Sequence, residues 1–185
     1  MINIVRLEKF KIDFDCNKET PFFQSSSENR IRFILDKLNN DILKDIVYKI
    51  YNNNEIEMLF VSEYISDQGK RIRSKSQIGK IIKINNWLEL VSFDKETNEG
   101  IVYANVKRLK HRDVYNYCLA VKRGFKEAYI VFFSDTFLMY VSSDVIDIMS
   151  TENNITNLKK DYNELYDKFY EKNQSMAAQI AAQRE

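Results

Sequence analysis

With 44% hydrophobic and 13% aromatic residues, a chain of 185 residues has enough apolar material for one core, and its length suits one domain, or one domain plus an appended helix. Its 28 Lys and Arg against 27 Asp and Glu leave a formal net charge of +1, so no global field draws it to nucleic acid or to a lipid surface, and such a role needs a local patch. With 1 Pro and 4 Gly it has no stretch that reads as a flexible linker, and no run approaches the ~18 to 20 apolar residues of a membrane span.

The opening segment, MINIVRLEKFKIDF, carries charges every few residues and lacks a small-residue cleavage site. It does not read as a signal peptide, and the expected location is cytoplasmic. Ile2 to Asp15 reads as a strand, because Phe10, Ile12 and Phe14 alternate with Lys9, Lys11 and Asp13. Pro21 falls in a polar loop. Ser25 followed by Glu28 matches a capping box. Ile31, Ile34, Leu35, Leu38, Ile42, Ile46 and Ile50 then recur at three and four, which predicts a helix of roughly seven turns ended by Asn52-Asn53-Asn54.

Glu55 to Tyr64 is the second predicted strand, with Ile56, Met58 and Phe60 on one side and Leu59 and Val61 on the other. Asp67 to Lys75 is a polar, basic loop, and Ile78, Ile81 and Ile82 fit a short helical turn or a strand alike. Trp87 to Phe93 and Ile101 to Val106 flank a polar stretch ending in Asn98-Glu99-Gly100, the pattern of a hairpin with a longer connection. A second basic cluster, Lys107 to Arg112, precedes a short helix from about Asp113 to Lys122, whose apolar face is Val114, Tyr117, Cys118 and Val121. Gly124 is its expected stop.

Ala128 to Met149 is the longest nearly apolar run and the expected structural centre. Tyr129 to Phe133 reads as a strand buried on both faces, with Phe137 to Val141 as its hairpin partner and Ser143 to Ile148 as a bend or short turn. From about Asn154 the chain reads as helix, with Ile155, Leu158, Tyr162, Leu165 and Phe169 in a near-heptad seam that continues to Lys172, Met176 and Ile180. Docking on the sheet as far as Tyr170, followed by a tail, accounts for this segment; the seam also permits a partner helix, including a homodimer through the C-terminal helix. These elements add up to an α+β fold, a mostly antiparallel sheet of about six strands against a long helix in the N-terminal half, a short helix and a C-terminal helix. Residues 1–173 form the expected domain and 174–185 a helical extension or tail.

Little catalytic chemistry is nominated. His111 is the one histidine and sits in a Lys/Arg run, where a solvated residue is the ordinary reading; Asp113 is two positions away and no nucleophile accompanies them. Cys16 and Cys118 have no metal-type spacing, and two reduced thiols are favoured over a lone disulfide. One His and two separated Cys do not make a zinc set, and no phosphate-binding Gly-rich pattern is present. The nuclease pattern of an acid followed by Glu-x-Lys fails at Asp94 and Asn105-Val106-Lys107, because Asn105 stands where a metal-holding carboxylate belongs. The expectation is a non-enzyme with no metal and no cofactor.

The two basic clusters remain. Arg71, Arg73, Arg108 and Arg112 are candidates for phosphate contacts if the fold brings both loops together, which supports an accessory nucleic-acid-binding role for a phage or mobile element. Aromatic residues for base stacking are not interleaved with them, so a solvated face, or an electrostatic patch for an acidic protein, is the preferred reading. The order of segments, together with Tyr140, the triplet Asp144-Val145-Ile146 and Leu165-Tyr166 followed by Phe169 or Tyr170, resembles an uncharacterised family of bacterial proteins known as domain of unknown function number 3885. The family's central Asp-Asp-Arg-Gly is replaced here by Val141-Ser142-Ser143 with a deletion. The resemblance implies a small cytosolic bacterial protein, with an immunity-type role against a cognate toxin as the leading function. Ser142, Ser143 and Asp144, at the expected bend, join the four arginines as candidate partner-binding residues.

Overall fold

The computed structural model describes residues 5–52 and 54–171. A small hairpin of β1 (Arg6–Leu7) and β2 (Ile12–Asp13) opens the described chain, and a four-residue helix, α1 (Pro21–Gln24), follows. Next come β3 (Arg30–Ile34), α2 (Asn40–Ile50), β4 (Ile56–Ile65) and β5 (Arg71–Arg73). The hairpin β6 (Trp87–Asp94) and β7 (Glu99–Leu109) leads to α3 (His111–Lys122), then β8 (Ile130–Phe133), β9 (Leu138–Val141), β10 (Val145–Met149) and α4 (Glu152–Asp161). The eight strands from β3 to β10 form one antiparallel sheet in the order β3-β10-β9-β8-β4-β7-β6, with β5 pairing with β4 off this path. The α+β class is as expected, with eight strands in the main sheet where about six were expected.

Each face of the sheet carries its own core. On one face Phe33, Met58, Phe60, Val106, Phe132 and Ile146 pack under Leu43, Ile46 and Val47 of α2, Tyr117 and Cys118 of α3, and Ile155 and Leu158 of α4. On the other, Ile12 of the small hairpin and Phe14 just after it cover Leu59, Val61, Tyr103, Val131 and Tyr140. Because Met58, Leu59, Phe60 and Val61 alternate between two covered faces, all are at most 5% exposed, each such side chain contributing about 1.5–3 kcal/mol on burial. The expected strand over Tyr129–Phe133 and its partner are β8 and β9, near the middle of the sheet. Gly124 stops α3 as predicted: at φ 89° its N–H bonds to Val121 O at 2.8 Å while Phe125 N–H bonds to Ala120 O at 3.0 Å.

Six expectations are corrected. The strand expected over Ile2–Asp15 is broken by a turn at Glu8–Phe10 into β1 and β2. The basic cluster Lys107–Arg112 is no loop, since it closes β7 and opens α3. The long helix does not start near Ser25; residues 30–34 are β3 and α2 begins only at Asn40, where the Asn39 side chain accepts from Ile42 N at 2.8 Å. The stretch Ser143–Ile148 is largely a strand, β10, seated between β3 and β9. The basic loop Asp67–Lys75 contains β5. The C-terminal helix is interrupted after Asp161, where Tyr166 makes a strand-like bridge to Phe33, and helix resumes only at residues 169–171. Lys172, Met176, Ile180 and the expected extension 174–185 lie outside the described residues.

The bridge from Tyr166 has a structural consequence. Asp167 N–H donates to Arg32 O at 2.8 Å, so the outer edge of β3 is met at its centre, Arg32–Phe33, by the chain's own residues 166–167. Beneath it, Arg32 makes a two-pronged pair with Asp147 on β10, at 2.6 and 2.8 Å, with Asp147 fully buried. The Phe22 ring lies between the guanidinium groups of Arg30 and Arg32, 4.2 and 3.9 Å from its centre, and meets the Tyr170 ring at 5.5 Å. Arg30 in turn donates to Phe22 O and Ser25 O.

Candidate protein-binding surface

Strand β4 acts as a ruler for the candidate residues. Leu109 faces Ile56 at one end of β4 and Ile72 faces Tyr64 near the other, eight residues or about 26 Å apart along a strand. The two basic clusters therefore lie at opposite ends of the sheet and do not converge. Arg108, at φ 61°, lies 4.0 Å from Glu55, and Arg112 is exposed on the first turn of α3. His111 is stacked on Tyr48 with centroids 4.0 Å apart, and its Nδ1 is buried with no partner among the described residues.

The remaining candidates share one end. The chain leaves β9 at Val141 toward the Val61–Ile65 end of β4, because Tyr140 faces Val131 and Val131 faces Leu59 in successive pairings. The Ser142–Asp144 turn thus sits on the same end as β5. Its groups are used within the fold as well as exposed: Ser142 Oγ accepts from Val145 N at 3.3 Å, and Asp144 O accepts from Leu35 N at 2.8 Å, while Ser143 and Asp144 face solvent. On β5, Arg71 reaches Glu89 at 3.2 Å and Glu63 at 3.5 Å. Arg73 is exposed and makes no ion pair among the described residues.

Sequence reasoning missed the apolar centre of this end. Tyr64 and Ile72 are directly opposed across β4 and β5, and are 43% and 50% exposed. They border an open depression of about 580 Å³ whose wall also includes Asp15, Lys18, Asp94 and Glu99. Behind it the Tyr103 hydroxyl is buried with no partner among the described residues, and burial, with Cys16, Asp15, Tyr129 and Tyr64 around it, pushes that phenol well above its ordinary value. The missed signal was two apolar residues, Tyr64 and Ile72, bracketing a polar stretch at hairpin spacing. An apolar pair flanked by charges is the anatomy of a protein-recognition patch.

The thiols offer no nucleophile here. Cys118 is buried and its thiol is pushed up to about 12 by burial, and Cys16, raised by burial and by Asp15, belongs to the opposite face of the sheet; both are free. Among the described residues no group of three or more His, Cys, Asp or Glu is placed to hold a metal ion, and no helix is long and apolar enough to cross a membrane. Against family models, curated proteins and solved structures, the chain has no match.

Proposed function

We propose that the protein acts by binding another protein with the β5 end of its sheet, and that the partner is a bacterial toxin which it neutralises by occlusion. The observation that carries the binding reading is the exposed Tyr64–Ile72 pair beside an open depression walled by Asp15, Lys18, Asp94 and Glu99, with the Ser142–Asp144 turn at the same end and Arg73, next to Ile72 on β5, projecting from the opposite face of that end. Exposed apolar side chains on a rigid sheet supply contact area at small ordering cost, and flanking charges steer an oppositely charged partner. The toxin-neutralising version rests on the resemblance carried by Tyr140, Asp144-Val145-Ile146 and Leu165-Tyr166. Separation of the two basic clusters makes a continuous phosphate track over both a weaker use of this surface.

Co-expression with the toxin candidates encoded beside the gene tests the reading. Growth is restored by the wild-type chain with one of them and lost with Ile72→Asp, which costs about 2 kcal/mol or more at the centre of the patch, on the order of 30-fold in Kd. Arg73→Glu slows association and makes the remaining binding less salt-sensitive. Failure to rescue growth from every neighbouring candidate removes the toxin version. Undiminished binding by Ile72→Asp and Arg73→Glu removes the surface.

A further inference from the structure

The two edges of the main sheet are treated differently. The β3 edge is blocked at its centre, where the chain's own Tyr166 and Asp167 meet Phe33 and Arg32. Strand β6 pairs with β7 alone among the described residues, over all eight positions from Trp87 to Asp94. Open edges are ordinarily kept short, charged or covered, because their unpaired N–H and C=O groups template another strand. Here the open edge is long and its side chains are apolar on both faces: Trp87 is 57%, Leu88 59% and Val91 41% exposed. Its one charge between Trp87 and Phe93, Glu89, is already met by Arg71 at 3.2 Å.

We propose that two copies of the chain pair β6 with β6 antiparallel about a two-fold axis at Leu90, joining their sheets into one. A two-fold axis normal to the sheet keeps each side chain on its own face, so the axis passes through a residue and three registers are near centre. About Glu89 the strand would set Glu89 against its own copy, and about Val91 it would set Asp94 against Leu88. About Leu90, Trp87 meets Phe93 of the second copy, Leu88 meets Ser92, Glu89 meets Val91 and Leu90 meets itself. That register places an aromatic pair on one face, an aliphatic contact on the other and no like charges opposite each other. It adds about six to eight main-chain hydrogen bonds across seven opposed positions.

The closed β3 edge selects this assembly over a filament. Head-to-tail growth requires β6 of one copy to dock on β3 of the next, and residues 166–167 already hold that position. With β6 the one long open edge of the main sheet among the described residues, β5 being three residues long, the self-complementary contact closes on itself as a dimer. Strand β5 pairs with β4 on the far side of β7 and β6, so the dimer leaves both β5 ends open.

Light scattering and sedimentation of the full chain test this. Twice the monomer mass is expected for the wild type at tens of micromolar, and the monomer mass for Val91→Lys and Leu88→Lys, each with an unchanged far-ultraviolet circular dichroism spectrum. In a Cys16→Ser background, Leu90→Cys is expected to cross-link copies with a short thiol-to-thiol reagent, while Ser92→Cys, which opposes Leu88, does so at least tenfold more slowly. A wild-type monomer at ~0.1 mM, against interface-strength association, overturns the proposal. So does a dimer that persists in whichever lysine variants remain folded while Leu90→Cys does not cross-link; that outcome assigns self-association to another surface, the C-terminal segment included.

Discussion

At the scale of single residues, Arg32 and Asp147 carry the largest consequence. They lie on adjacent strands in direct register, 115 positions apart in sequence, and their two hydrogen bonds leave Asp147 with no exposure to water. Removing one member strands a buried charge, so Asp147→Ala is expected to cost about 3–5 kcal/mol in urea unfolding, while Arg32→Met with Asp147→Leu restores most of that stability. A double variant no more stable than Asp147→Ala would place the requirement in the ion pair itself. Neither residue was nominated by the sequence reading, and the reason is physical. Ser143–Ile148 reads in sequence as a bend or short turn, and a carboxylate within an apolar run does not announce a buried strand. Only the pairing of β10 with β3 supplies the arginine that lets a carboxylate sit inside a strand.

Among the elements, those whose pattern answered to one period were legible and those that answered to two were not. β4, β6, β7, β8 and β9 alternate or run apolar over strand lengths, and α3 has three-four spacing ended by Gly124; all were read close to where they lie. Ile31, Ile34, Leu35 and Leu38 also fit three-four spacing, yet Arg30-Ile31-Arg32-Phe33-Ile34 alternates equally well. Pairing with β10 decides for the strand, and local spacing carries no information about it. Similarly, Leu165-Tyr166 continues a heptad step but leaves the helix to close the β3 edge. The helix boundary has its own test. Asn39→Ala should cost about 1 kcal/mol of stability by removing the α2 cap, while Ser25→Ala, which ends the short α1, should stay within about 0.5 kcal/mol. Equal costs would argue that α2 does not begin at Asn40.

At the scale of the whole molecule, the sheet sorts the candidate residues more decisively than their chemistry does. Two basic clusters that look alike in sequence sit at opposite ends of β4, and the end holding Arg73 also holds the exposed Tyr64–Ile72 pair and the Ser142–Asp144 turn. The apolar residues of that end were visible in the sequence as residues but not as a patch, because their adjacency is made by pairing of β5 with β4. One edge of the sheet is closed by the chain itself and the other is bare, and the account of surface and assembly rests on that asymmetry. Amide hydrogen exchange measured residue by residue, at low and at high protein concentration, tests it directly. Exchange at the β3 amides should not change with concentration, and the outward amides of β6 should exchange freely when dilute and gain protection only when concentrated. Outward β6 amides protected even at the lowest concentration, or β3 amides that gain protection as concentration rises, would contradict it.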